Sequence, residues 1–220
     1  MSYRRVCTVL LFCFVAFSSP IRVNGEIVID AGTIVGTNVA THAPGTAYSI
    51  EHAINQSGLS AGYTSGVTDF SSYFASNPTH AVSGVNTHFL GITNGGYVDF
   101  DLGQTYNLSS IAVWNWHNSQ GNVGVTDIQV FKSNDDTFST LSSIGDFDFS
   151  VNGSTTAQLR QFSIPTSARF IRLDIANSGF ANRPGFGELA FGAVPEPSSF
   201  LMFALGFAGL AGRRRSIKGV

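Results

Sequence analysis

The clearest pattern in the chain is an alternation of apolar and polar residues in the segment Tyr97–Gly103. Val98, Phe100 and Leu102 are apolar, and both residues between them are aspartates. Neighbouring side chains of a β-strand point to opposite faces, so this alternation predicts a strand with one buried face.

Two further runs follow in the middle of the chain. The run Ile111–Trp116 is apolar on both faces through Trp114, which indicates a strand that is covered on two sides. The run Val125–Lys132 places Ile128 and Val130 on one face. These runs predict the centre of a β-sheet protein.

Other segments show the same period or the same residue types. They are Glu26–Asp30, Ile144–Ser150, Gln158–Ile164, Arg169–Ile175 and Glu188–Phe191. The second and third flank Asn152-Gly153, a turn that favours a β-hairpin between them. No segment before Ser198 has a helical period, so roughly eight strands in an all-β sandwich or jelly roll are predicted.

The segment 37–78 has a poor pattern and is rich in Ser, Gly, Thr and Asn. Tyr48–Ile54 is read as either a short strand or one helical turn. Because long irregular loops are uncommon inside a domain, we expect short strands in this segment. Gly58–Gly62 matches the G-x-S-x-G motif, but no strand–helix alternation surrounds Ser60, which favours a flexible Ser/Gly loop over a nucleophile.

The N-terminal residues 1–25 have the layout of a secretory signal peptide. Arg4 and Arg5 precede an apolar run, Val6–Phe17, and small residues lead to a cleavage site at Gly25–Glu26. A membrane anchor is the alternative, but the apolar run is short for a bilayer span. Export is therefore predicted.

Both cysteines, Cys7 and Cys13, lie inside this peptide, so the predicted domain 26–193 contains none. Disulfides, zinc–thiolate sites and a cysteine nucleophile are excluded there, and the fold depends on its core. The same segment holds five basic and thirteen acidic residues, a formal net charge of −8. Such a surface repels phosphate backbones, which argues against nucleic acids and favours cations or neutral polymers as partners.

The segment 194–220 has a different composition. An uncharged run, Ser198–Gly212, ends on three arginines. Fifteen helical residues span roughly 22 Å, less than the ~30 Å hydrocarbon core. The motif Pro195, Glu196 and Pro197, followed by this apolar helix and basic end, resembles the PEP-CTERM sorting signal. The resemblance implies an exosortase partner, at least transient membrane insertion of the helix, and a location in the cell envelope, at the cell surface or in the extracellular matrix. An ordinary C-terminal transmembrane anchor is the alternative.

Five segments of the predicted domain follow one another in a characteristic order: Ala81–Phe89, Tyr97–Gly103, Val125–Phe138, Ala168–Ile175 and Gly187–Leu189. Together they cover about residues 75–192, and in this order they resemble discoidin, or coagulation factor 5/8 type C, domains. The resemblance implies a galactose-binding-like jelly roll that binds sugars or lipid headgroups through loops at one end, often with a structural calcium ion.

Carried over from that family, the calcium ligands are backbone oxygens near Ala81 and Val85, Ser83 in place of the family's Asp, Thr87, and Glu188. Oxygen donors of this kind suit a hard cation, but the serine removes a charged ligand. The alternative is that Glu188 is only a strand-end carboxylate.

A sugar platform is the second expectation. Its candidates are Trp116, His117, Asn118, Phe180 and Arg183, with Tyr63 and Tyr73 as weaker ones. Aromatic rings stack on the apolar faces of sugars, while Arg, His and Asn bind hydroxyls. Packing in the core is the alternative for Trp116, and it is the expectation for Trp114. A solvated loop is the alternative for the polar residues.

These features together predict an exported, non-catalytic surface module that binds a glycan or exopolysaccharide. The alternative is a structural protein of the extracellular matrix or envelope without a specific ligand. A hydrolase is disfavoured, because the sequence has no H-E-x-x-H motif and no clear pattern of paired carboxylates.

Overall fold

The computed structural model describes residues 25–40, 46–82, 86–92, 95–117, 123–151, 154–178 and 183–195. These residues form eight strands, one 3-10 helix and one α-helix. In chain order they are β1 (Ile27–Asp30), β2 (Thr33–Thr37), the 3-10 helix (Ile50–Ala53), α1 (Phe70–Ala75), β3 (Phe89–Leu90), β4 (Gly96–Asn115), β5 (Val125–Ser133), β6 (Leu141–Asp148), β7 (Gln158–Ser178) and β8 (Gly185–Val194).

Two long strands, β4 and β7, pair antiparallel along most of their length and link two layers. In one layer, the first part of β4 also pairs with β2, and the second part of β7 pairs with β5, which pairs with β6. In the other layer, the second part of β4 pairs with β8, which also pairs with β1 and β3. The register of β4 against β7 shifts between Asp101 and Tyr106, where the strands pass from one layer to the other.

The main core lies between these layers. From one layer come Val98, Phe100, Leu102, Val130, Ile171, Leu173 and Ile175, and from the other come Ile111, Val113, Leu189 and Phe191. All of these side chains are buried, with the apolar positions of each run facing inward as their alternation predicts. The prediction of an all-β sandwich is confirmed.

A second apolar cluster covers the outer face of β1, β8 and β4. It contains Val28, Tyr63, Phe70, Tyr73, Ala112, Trp114 and Ala190. Trp114 is fully buried there, and its Nε1 donates to the Pro78 carbonyl oxygen at 3.0 Å. The expectation that Trp114 belongs to the core is confirmed.

The expectation of hidden strands in segment 37–78 is wrong. Past the end of β2, its described residues contain the 3-10 helix, α1 and isolated bridges. Helix α1 begins after Asp69, whose side chain accepts a hydrogen bond from the Ser72 backbone N–H at 2.7 Å, and it buries Phe70 and Tyr73. Six residues make less than two helical turns, so no helical period is visible in the sequence.

The hairpin predicted around Asn152-Gly153 is also wrong as a strand pairing, although the turn itself lies outside the described residues. β6 pairs with β5, and β7 lies on the other side of β5. Ile128 and Val130 of β5 are fully buried, and this apolar strand lies between β6 and β7 rather than at the edge of the sheet. The local turn signal is overridden by burial of the more apolar strand.

The ends of β8 define two ends of the sandwich. Gly185 and Phe186 pair with β3 and with Asn115, whereas Ala193 pairs with Ile27. We call residues 46–48, 86–92, 115–117 and 183–185 the loop end, and residues 26–27, 107–110 and 192–195 the tail end. Ten strand residues span about 33 Å, so the two ends lie on opposite sides of the molecule.

The predicted signal peptide and the apolar C-terminal run lie outside the described residues, which end at Pro195. Among the residues that the structure describes, no helix has the length and apolarity needed to cross a bilayer.

Candidate functional site

The loop end carries a stack of aromatic rings around Trp116. Its ring centroid lies 5.9 Å from that of Tyr48 and 5.1 Å from that of His88. Trp116 itself is only 7% exposed, and Gly185 packs against its ring. Tyr48 is half-buried, so it is the member of the stack that reaches the surface.

Trp116 is one of the candidates for the sugar platform, with core packing as its alternative; its ring is buried beside Tyr48, and its contact with a ligand stays a prediction. Sequence reasoning missed Tyr48 because it stands in a segment without periodicity. An isolated aromatic residue in a polar stretch was the only available signal.

A buried amide fixes the end of β4 below this stack. The Asn115 side chain donates to the backbone oxygens of Val125 at 2.7 Å and Ser150 at 3.1 Å. Its Oδ1 accepts from the backbone N–H groups of Trp116 at 2.8 Å and Val125 at 3.0 Å. The four hydrogen bonds of this side chain therefore tie the end of β4 to Val125 and Ser150, and one of them holds the Trp116 backbone N–H.

Two of the predicted polar contacts lie at the same end. His117 is half-buried directly after Trp116, and Arg183 is half-buried before β8. The Arg183 Nε donates to the Gly91 carbonyl oxygen at 2.9 Å, which ties it to the 86–92 loop. The structure thus brings Trp116, His117 and Arg183 to one end, while Asn118 and Phe180 lie outside the described residues.

Glu188 is fully buried on β8, opposite Trp114. Its Oε2 accepts a hydrogen bond from the Gln56 backbone N–H at 2.7 Å, and its Oε1 is buried with no partner in the protein. Burial raises the pKa of Glu188 to about 8, although the N–H groups of Gln56 and Leu189 partly oppose the shift. Gln56, which the sequence did not single out, also binds Tyr63 through two hydrogen bonds.

Two buried histidines, His80 and His88, lie near Gly187, the residue before Glu188. The rings of His80 and His88 meet edge to face, with centroids 4.4 Å apart. His80 fits between glycines, since a Cβ at Gly187 would lie 2.6 Å from its Nδ1 and one at Gly58 would overlap its ring. Burial lowers the pKa of His88 to about 3, with the neighbouring histidines adding to the shift, and it also lowers the pKa of His80. Both rings are therefore neutral near neutral pH.

Three of the calcium ligands carried over from the resemblance, Ala81, Thr87 and Glu188, lie in the described residues. The Ala81 carbonyl faces His80 Nδ1 at 3.2 Å, and the Thr87 hydroxyl faces His88 Nδ1 at 2.9 Å. Ser83 and Val85 lie outside the described residues. No group of three or more His, Cys, Asp or Glu side chains suited to a metal occurs in the part of the chain that is described.

Calcium takes six to eight oxygen ligands. Of the predicted ligands, the Glu188 carboxylate accepts from Gln56, and the Ala81 and Thr87 oxygens each face a histidine ring. The calcium site stays a prediction. The alternative was that Glu188 is only a carboxylate at the end of a strand. The structure differs from it, because the Glu188 side chain is fully buried and bonds Gln56.

The remaining candidates from the sequence, Ser60, Tyr63 and Tyr73, bond or pack within the domain. The Ser60 hydroxyl accepts from the Thr79 backbone N–H at 2.9 Å in an irregular loop, which is not the strand–helix turn that a nucleophile elbow requires. Tyr63 and Tyr73 are buried in the outer cluster, and the Tyr73 hydroxyl donates to the Ala61 carbonyl oxygen at 2.6 Å. Neither tyrosine is an exposed platform.

Two family models match the chain. The F5/8 type C domain model matches residues 64–186, more than half of the chain. The PEP-CTERM protein-sorting motif matches residues 193–215, which include Pro195, Glu196 and Pro197. No curated protein matches the chain.

Several solved structures resemble this one. The CBM32-1 and CBM32-2 domains of Clostridium perfringens ZmpB, in complex with GalNAc, are 12% identical with a TM-score of 0.52, over 79% of this chain and 38% of theirs. The family 32 CBM of C. perfringens NanJ, in complex with galactose, is 15% identical with a TM-score of 0.40, over 48% of this chain and 75% of its own. The CBM32 of AlyQ, in complex with 4,5-unsaturated mannuronic acid, is 17% identical with a TM-score of 0.39, over 47% of this chain and 75% of its own.

The likeness to the ZmpB domains shows the fold, a galactose-binding-like β-sandwich. The resemblance to discoidin domains and to the sorting signal is confirmed by the family matches, and the sorting motif indicates an exported protein associated with the cell surface. The chain belongs to the F5/8 type C domain family and carries a PEP-CTERM protein-sorting motif after that domain.

Proposed function

We propose that this protein is a non-catalytic module that binds a glycan or exopolysaccharide at its loop end, outside the cell. The observation that carries the proposal is the ring stack in which Tyr48 reaches the surface on a buried Trp116, with His117 and Arg183 at the same end.

The chemistry of this end suits a sugar. The carbon–hydrogen faces of a pyranose pack on aromatic rings, and imidazole and guanidinium groups hydrogen-bond its hydroxyls. Asn115 holds the backbone of Trp116, which gives Tyr48 a rigid base. A preorganised platform costs less to order when a ligand binds.

The charge of the molecule narrows the ligand class. Residues 26–193 carry a formal net charge of −8, so a strongly anionic polymer would be repelled at long range. A neutral glycan is the better match, with the Arg183 guanidinium at the same end as the stack, where it bonds Gly91.

The related modules support this proposal by analogy. The ZmpB and NanJ domains were solved with GalNAc and galactose. Since one fold hosts many functions, the argument for this chain rests on its loop end.

The sorting motif supports processing by an exosortase-type enzyme after transient insertion of the tail in the membrane. The tail leaves the domain at the end opposite the loop end, because Val194 pairs with Asn107 and Ala193 with Ile27. A protein held by its tail would therefore present the Tyr48 stack away from the membrane.

A glycan array probed with the purified protein, followed by calorimetry on each hit, tests the proposal. We expect binding to at least one neutral glycan or matrix polysaccharide. Absence of binding to every glycan, together with self-association in solution, would instead favour a structural matrix protein.

A further inference from the structure

Buried polar atoms without a partner are concentrated in one part of this molecule. Among the described residues, seven buried side-chain nitrogen or oxygen atoms have no hydrogen-bond partner in the protein. Six of them belong to Tyr63, His80, His88, Trp116, His117 and Glu188, and the seventh belongs to Asp127. We call these six residues the polar seam.

The inner half of the seam is continuous. Gln56 bonds both Glu188, at 2.7 Å, and the backbone of Tyr63. Burial and the neighbouring Glu188 carboxylate raise the pKa of Tyr63. The next residue of β8, Gly187, packs against the ring of His80.

The outer half continues to the loop end. His80 meets His88 at a centroid distance of 4.4 Å, and His88 meets Trp116 at 5.1 Å. His117 follows Trp116 in the chain and adds to the electrostatic shift on His88. The outer half of the seam therefore runs from the loop end to Gly187, the residue before Glu188 on β8.

Six unpartnered atoms are too costly to remain unsatisfied. Each buried donor or acceptor that lacks a partner costs about 1–3 kcal/mol, and a whole domain is stable by only about 5–15 kcal/mol. An occupant that supplies hydrogen bonds is required.

The donors and acceptors of the seam identify that occupant. Trp116 Nε1 can only donate. His80 Nδ1 faces a carbonyl oxygen and so carries the proton, which leaves His80 Nε2 as an acceptor in the neutral ring. The Tyr63 hydroxyl can do both, and so can the Glu188 carboxyl, which is protonated below its raised pKa of about 8. A cation would satisfy only the acceptors and an anion only the donors, whereas a neutral hydroxyl compound satisfies both kinds, and water is the smallest of these.

We propose that ordered water molecules fill the polar seam and link His117 at the loop end to Glu188 under the 56–58 turn. The water joins Tyr63, His80 and His88 to β8, in addition to the direct bond between Gln56 and Glu188. This inference does not depend on the ligand proposed for the loop end.

A pair of tyrosine variants tests it. Tyr63→Phe removes a seam hydroxyl, and Tyr73→Phe is the matched control, since its hydroxyl donates directly to Ala61 at 2.6 Å. If water bridges Tyr63, both variants lose a hydrogen bond and both lower the Tm by about 2–4 °C. If the seam is dry, Tyr63→Phe leaves the Tm unchanged or raises it while Tyr73→Phe still lowers it, and the proposal is overturned.

Thermal unfolding with calcium chloride and with a chelator adds an independent readout. We expect the same Tm in both, because water rather than a cation lies against Glu188. A higher Tm in calcium would overturn the proposal at this end of the seam, since a ligand that binds only the folded state must stabilise it. A crystal structure should show water within hydrogen-bond distance of Trp116 Nε1 and His88 Nε2, and empty density at both atoms would contradict it.

Discussion

At the residue scale, the two tryptophans show how far a side chain can be assigned from its neighbours in the sequence. Trp114 lies in a run that is apolar on both faces, and it is fully buried as that run predicts. Trp116 follows a polar residue at the end of the run, which left core packing and ligand contact open. In the structure its ring is buried, and the ring that packs on it and reaches the surface is that of the half-buried Tyr48, which is 68 residues earlier in the chain.

The other residues that the sequence analysis did not single out also owe their positions to contacts with distant parts of the chain. Gln56, His80 and His88 stand in segments without a period, and their surroundings are made by contacts with β8 and the end of β4. Such long-range contacts leave no local signal. Glu188 is a predicted site residue, but its partners are predicted in the 81–87 segment rather than at Gln56.

Glu188 makes stability dependent on pH. Its pKa rises from an ordinary 4.5 to about 8 in the folded protein, so folding favours the protonated form. This contribution is complete below the unfolded pKa and is lost as the pH rises through the folded pKa, with a slope of at most about 1.4 kcal/mol per pH unit.

Chemical denaturation between about pH 5 and about pH 8 measures this slope. Glu188→Gln keeps an acceptor for Gln56 and cannot ionise, so we expect its stability to fall less over this range than that of the wild type. Glu51→Gln, at an exposed glutamate, is the control. Identical slopes for Glu188→Gln and wild type would contradict the assignment.

At the element scale, the structure joins what the sequence presents as separate strands. Tyr97–Gly103 and Ile111–Trp116 were read as two runs, and their residues lie on the single strand β4 except for Trp116 at its end. Likewise Gln158–Ile164 and Arg169–Ile175 both belong to β7. In the sequence, Gly103 and Ile164-Pro165 resemble turns that would end a strand. In the structure Gly103, with φ +80°, lies within β4 and Ile164-Pro165 within β7, at irregular positions of their pairing where the strands pass between the layers.

Cross-strand ion pairs between β4 and β7 give a prediction at this scale. Arg172 bonds Asp99 through two contacts of 2.6 and 2.7 Å, and the two side chains are 17% and 6% exposed. The guanidinium also stacks on Tyr97 at 3.7 Å. Asp99→Asn leaves this largely buried cation without its counter-charge, and we expect a loss of about 3 kcal/mol in the free energy of unfolding.

The neighbouring pair supplies the control. Arg169 bonds Asp101 with the same geometry, at 2.7 and 2.8 Å, but the two side chains are 45% and 20% exposed. Urea denaturation of Asp101→Asn should show a much smaller loss, because solvent screens this pair. Equal losses for the two variants would mean that burial does not set the strength of these pairs.

For the whole molecule, composition and the apolar–polar pattern predict the class of fold but not the order in which the strands pair. Alternating runs and the absence of cysteine from residues 26–193 predicted an all-β sandwich that relies on its core. The strand order could not follow, because pairing depends on which apolar faces meet across the core rather than on adjacent turns. The β5–β6 pairing that replaced the predicted hairpin is the example.

The opposite placement of the loop end and the tail end can be tested on cells. Residues 25–195 contain no cysteine, so single cysteines report exposure. Ile92, at the loop end, is 50% exposed, and Ile164, close to Thr166 and the tail end, is 74% exposed. On intact cells we expect a membrane-impermeant maleimide to label Ile92→Cys faster than Ile164→Cys.

Labelling of the same variants after purification is the control, and both should then react readily. Faster labelling of Ile164→Cys on cells would contradict the outward orientation of the loop end.

The central claim is that Tyr48, supported by Trp116, forms the platform of a glycan site. Calorimetry with a glycan found on the array, comparing wild type, Tyr48→Ala and Tyr106→Ala, tests it most directly. Tyr106 is half-buried near the tail end and makes the matched control. We predict that Tyr48→Ala weakens binding about tenfold or more while Tyr106→Ala binds as the wild type does. Unchanged affinity in Tyr48→Ala, with its fold intact, would contradict the account.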